Sequence, residues 1–120
     1  MRTAALILTG LVAILHVYIM VLEMFLWTTP RGRRTFRRTE QQAEDSKQLA
    51  ANQGLYNGFL AAGLAWALVS DGVQFVPRAT FFLVCVAVAG LYGAATVMRR
   101  ILYIQTLPAA LALAAVWMSR

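Results

Sequence analysis

Two ionisable residues, His16 and Glu23, stand seven positions apart inside a long apolar run, Ala4–Trp27. Hydrocarbon cannot solvate such groups, so each is a candidate functional residue if the run lies in a membrane. At about 100° per residue, His16, Met20, Glu23 and Trp27 fall in a stripe roughly 60° wide on one helix face. Metal binding is the first chemistry to test. Seven helical residues span about 10.5 Å, too far for the pair to share one ion. Zinc would also need further ligands, and the chain's single cysteine, Cys85, lies in a different run. Haem on His16 lacks any attachment motif. No metal site is expected, and no cofactor follows from any motif. What remains is acid–base or proton-exchange chemistry, for which Glu23 is the stronger candidate.

The elements that must position these groups are apolar helices. Of 120 residues, 60% are hydrophobic and 13% charged, and the mean hydropathy is +0.63. A soluble domain of this size carries about twice that charge, so the fold class expected is all-α and integral to a membrane. Four runs, 4–27, 49–70, 80–98 and 101–118, approach the roughly 20 residues a helix needs to cross hydrocarbon. Period-two patterning is absent, which argues against a barrel. The expectation is a single domain of four spans over 1–120. The first run is read as a retained span: it is too long for a signal peptide and no small-residue cleavage site follows it. Cys85 can form no intramolecular disulfide and is read as a small apolar filler.

Charge orients the spans. Six basic residues (Arg31, Arg33, Arg34, Arg37, Arg38, Lys47) occupy the 28–48 loop and two (Arg99, Arg100) the third loop, against Arg2, Arg78 and Arg120 on the other side. Positive-inside bias therefore predicts cytoplasmic first and third loops and both termini outside, with the spans in a cell membrane. The net charge of +6 would suggest nucleic acid in a soluble protein. Here Phe36 is the lone aromatic beside the arginines, so base stacking has little support. The Arg31–Arg38 run is instead expected to rest on anionic lipid head groups. After it, Thr39 and Gln42 have the form of a capping box. Glu40–Ala51 contains no glycine or proline and should run straight into the second span, with Glu44, Asp45 and Lys47 on its solvated face.

In this topology the polar groups of four helices gather in one leaflet. Glu23 lies about one turn inside the cytoplasmic end of the first span, with His16 deeper. Gln53, Tyr56 and Asn57 open the second span, Tyr92 closes the third, and Gln105 opens the fourth. Gly54 and Gly58, with Gly90/Ala94 and Ala89/Gly93, are spaced for close helix approach. Pro108 lacks an N–H and frees the carbonyl of Ile104, so the last span should distort just beyond Gln105. The expected site is a polar, cytoplasm-facing pocket of His16, Glu23, Gln53, Tyr56, Asn57, Tyr92 and Gln105. A plainer account stands beside it: these groups act only as hydrogen-bonding glue, at about 0.6 kcal/mol each.

The segments Val21–Gly32 (VLEMFLWTTPRG), Leu49–Leu64 (LAANQGLYNGFLAAGL) and Gly90–Thr96 (GLYGAAT) resemble a family of small bacterial membrane proteins, domain of unknown function 1304. The resemblance covers nearly the whole chain and implies a four-span membrane protein. It brings no substrate, cofactor or catalytic residue. Three functions stay open on the residues themselves. A binding or transport protein would use Glu23 to exchange a proton, with the amides and phenols holding a small or lipid-soluble solute. An enzyme on a lipidic substrate would use His16 and Glu23 as acid and base, with Tyr56 or Tyr92 as donor. An assembly protein would use the cluster only to lock helices. The small-residue stripes serve contacts within one subunit or in a homo-oligomer equally well.

Overall fold

The computed structural model describes every residue, Met1–Arg120, and contains helices and no strands. The helices are α1 (Arg2–Met24), α2 (Pro30–Phe36), α3 (Glu40–Leu68), α4 (Gly72–Thr96) and α5 (Leu107–Met118). A π-helical turn, Leu102–Thr106, leads into α5. Two helices, α1 and α4, are long and apolar enough to cross a membrane by length and composition. The apolar helix Leu102–Met118 is shorter, and α3 opens on the polar stretch Glu40–Gln48. Of the four runs expected to span, two thus lie in helices that are candidates by length and composition, and a four-span bundle is not confirmed.

The helix ends are set by identifiable caps. Thr39 and Gln42 form the reciprocal capping box: Gln42 N–H donates to Thr39 Oγ1 at 3.1 Å and Thr39 N–H to Gln42 Oε1 at 3.0 Å. From there α3 runs unbroken for 29 residues, its first stretch free of glycine and proline as expected. Two boundaries differ from the sequence reading. The first helix ends at Met24 rather than Trp27, because Thr29 caps a new helix, accepting from Gly32 N–H at 3.3 Å with Pro30 in the first turn. The third apolar run begins its helix at Gly72 rather than Thr80, because Asp71 Oδ1 accepts from Gln74 N–H at 2.9 Å.

The chain forms two compact units. The first contains Met1–Ile14 and Leu60–Arg120, around Val12, Leu64, Phe75, Leu83, Val86 and Val116, all at most 2% exposed. Gly90 lets α4 approach the π turn so closely that a Cβ there would strike Thr106, 2.9 Å from its backbone nitrogen. Leu107 N–H reaches back to Leu102 O, five residues away. The distortion expected just beyond Gln105 is instead a π turn that contains Gln105 and ends shortly before Pro108, which has no N–H to continue a regular helix.

The second unit is Leu15–Phe59: the end of α1, all of α2 and the first two-thirds of α3. Trp27, Ala43 and Ala50 form its buried apolar cluster with Phe36 packed against them. The Trp27 and Phe36 rings lie 4.8 Å apart, and the indole N–H of Trp27 donates to Ser46 Oγ at 3.1 Å. Gly32 sits against the backbone of the preceding turn, where a Cβ would clash with Leu26 O and lie 2.8 Å from Trp27 O. Only a residue without a side chain lets α2 fold back this tightly.

Candidate functional site

The site residues of the second unit start from small residues on α3. Gly54 faces α1 so closely that a Cβ would stand 2.6 Å from Met24 Cγ, 3.0 Å from Glu23 Cβ and 3.2 Å from Met20 O. A Cβ on Gly58 would meet Met20 Sδ at 2.8 Å. The G-x-x-x-G step therefore brings the α3 backbone against the Met20–Met24 turn. One turn beyond Gly54, Asn57 reaches Glu23: its Nδ2 donates to Glu23 Oε1 at 2.5 Å and to Gln53 O at 3.3 Å.

Glu23 is 2% exposed and His16 wholly buried, on α1 with the half-buried Met20, while Trp27, the last residue of the stripe read from the sequence, lies beyond the end of α1. The other expected residues have different settings. Gln53 is exposed, and its backbone carbonyl rather than its amide side chain serves the pair. Tyr56 is exposed and stands edge-on to Phe59 at 5.9 Å. Tyr92 and Gln105 belong to the first unit: Tyr92 is 72% exposed, and Gln105 Nε2 donates to Val86 O at 3.4 Å. What the second unit brings together, then, is Glu23, Asn57 and the backbone of Gln53.

Beside Glu23 opens a cavity of about 470 Å³, lined by Glu23, Met24, Trp27, Thr28, Lys47 and Gln48, among others. Its lining joins a carboxyl, an ammonium, an amide and a hydroxyl to apolar walls. Lys47 is solvated, as its sequence setting implies, with a side chain 58% exposed and its ammonium 2.5 Å from Glu44 Oε1; its place beside the cavity is what the structure adds. The signal that could have placed it is the α3 face Ala43, Lys47, Ala50, Gly54 and Asn57, spaced at four, three, four and three. Such an arrangement can exchange a proton at Glu23 and hold a polar group at Lys47 or Gln48. No group of three or more His, Cys, Asp or Glu side chains is placed to hold a metal ion.

The family described as "Protein of unknown function (DUF1304)" matches residues 10–117, a span that contains every candidate site residue from His16 to Gln105. The chain belongs to this family. It is also similar to the "Uncharacterized protein YpaA" of Lactococcus lactis subsp. lactis (strain IL1403), with 33% identity over 107 residues, 88% of this chain and 89% of that protein. No solved structure matches the chain. The Glu23–Asn57 pair is therefore the geometry from which a role for this DUF1304 member has to be argued.

Proposed function

We propose that the protein resides in a membrane and binds or carries a small or lipid-soluble molecule, with the Glu23–Asn57 pair and its adjoining cavity as the site. One observation carries this reading. A carboxyl group, 2% exposed, lies at the end of a helix apolar enough to cross a membrane and is held by an amide. Helices can be glued by amides, hydroxyls and small residues alone, whereas a carboxyl at depth is costly and marks function. The mixed lining of the cavity suits a molecule with one polar end and an apolar body.

Membrane residence is supported by apolar side chains that the protein leaves uncovered. Ile7, Leu11, Ile14 and Val17 on α1, and Phe81 and Val88 on α4, are each exposed by 45% or more. In water every such surface costs about 25 cal/mol per Å² of apolar area, a cost that lipid tails remove. In the full proposal, the apolar part of α3 and the helix Leu102–Met118 complete four spans. The arginine-rich turn then faces the cytoplasm, by the positive-inside bias.

Native mass spectrometry of the protein purified in a mild uncharged detergent tests the reading. Wild type is expected to carry a non-protein mass that Glu23→Gln loses while its circular dichroism is unchanged. A wild-type protein without any bound mass, or a Glu23→Gln protein that keeps it, overturns the proposal.

A further inference from the structure

A second concavity, of about 450 Å³, lies on α2 and the turn after it, lined by Pro30, Arg33, Arg34, Arg37 and Arg38. Four cations facing one space repel each other unless something neutralises them. None of the four is ion-paired with a carboxylate, and the nearby acids are engaged elsewhere: Glu44 with Lys47, and Asp45 Oδ1 with Gln41 Nε2 at 2.8 Å. Arg33 Nε is buried with no hydrogen-bond partner, a donor without an acceptor.

The backbone builds this arrangement. Positions 30, 33 and 34 share one face of α2, while Gly32 and Phe36 turn the opposite face to the Trp27 cluster. Arg37 then takes a left-handed conformation, φ 55°, where glycine is the usual residue. Arg38 N–H closes the turn on Arg33 O at 2.8 Å, which adds a further guanidinium to the concavity. Arg31, of the same run, is not among the lining residues.

We infer that this concavity is a site for a phosphate oxyanion, and that its occupant is the head group of an anionic lipid. Guanidinium groups present forked N–H donors matched to phosphate oxygens, and they neutralise the charge that brings them into conflict here. The source follows from position: α2 begins six residues after the end of α1, where a membrane-crossing helix would deliver it to the head-group layer. In its choice of lipid over free phosphate, though not in the anion chemistry, the inference rests on the membrane reading above.

The full chain in uncharged detergent is titrated with phosphatidylglycerol, phosphatidylcholine or inorganic phosphate, and thermal unfolding is followed by tryptophan fluorescence. Phosphatidylglycerol is expected to raise the unfolding temperature of wild type, and the other two to leave it unchanged. Arg33→Gln and Arg31→Gln remove one charge each. Arg33→Gln is expected to weaken the lipid response by about tenfold in concentration, the loss of one charge-assisted pair, and Arg31→Gln by less than about twofold. Equal weakening by Arg31→Gln and Arg33→Gln would overturn the site in favour of a diffuse charge effect. An equal response to phosphatidylcholine overturns the requirement for an anion, and an equal response to inorganic phosphate overturns the lipid assignment.

Discussion

Asn57 Nδ2 donates to Glu23 Oε1, joining the last turn of α1 to the middle of α3 across thirty-four positions of sequence. Both partners can be altered singly, so the link is measurable. Glu23→Ala and Asn57→Ala should each destabilise the protein, and the double variant should cost less than the sum of the two. A coupling of about 0.6 kcal/mol, and no more than about 1.7, is expected for a hydrogen bond between membrane helices. Denaturant unfolding in mixed micelles reads it, and strict additivity would mean that the bond contributes nothing.

Gly54 should be less tolerant than Gly58. A methyl at Gly54 meets the backbone oxygen of Met20 and the Cβ of Glu23 as well as Met24, while at Gly58 it meets chiefly the flexible side chain of Met20. Gly54→Ala is expected to lower stability by about 1–3 kcal/mol through overpacking, and Gly58→Ala by clearly less. The same unfolding assay ranks them, and the reverse order would contradict the packing described.

Gly32→Ala should push α2 away from the turn before it, because its Cβ would collide with backbone atoms of Leu26 and Trp27 that cannot rotate aside. In a Trp66→Phe/Trp117→Phe background the emission of Trp27 should shift to longer wavelength as Phe36 leaves its ring. An unshifted spectrum would show that α2 is not held there.

Thr39→Ala removes one half of the capping box at the start of α3. The expected cost is about 1 kcal/mol, confined to the first turn. Hydrogen exchange should quicken at the amides of Gln42 and Ala43 and stay unchanged at Asn57. Uniform quickening along α3 would mean that the cap stabilises the whole helix.

What was legible in the sequence was local. The Thr39/Gln42 pair announced the start of α3, and Gly54 and Gly58 announced the close approach that puts Asn57 against Glu23. The helix α2 was missed because a run of arginines around Gly32 reads as a loop. Its signal was nevertheless present in Thr29 and Pro30, a capping residue followed by proline. The apolar pattern alone starts α4 late, because Gln74, Pro77 and Arg78 interrupt it, whereas the Asp71 carboxylate sets the true start. Trp27, Thr28, Lys47 and Gln48 line one cavity because α3 passes beside the α1–α2 turn; the spacing along α3 marks the face that carries Lys47 but not what that face meets.

The central claim is that Glu23 is a carboxyl at membrane depth, unlike the other four in the chain (Glu40, Glu44, Asp45 and Asp71), which are all exposed. Isolated membranes containing the protein can be treated with dicyclohexylcarbodiimide, which partitions into lipid, or with a charged, water-soluble carbodiimide, and the modified peptides identified by mass spectrometry. The account predicts that Glu23 reacts with the apolar reagent alone and Glu44 with the water-soluble one. Modification of Glu23 by the water-soluble reagent at the rate of Glu44 would contradict it.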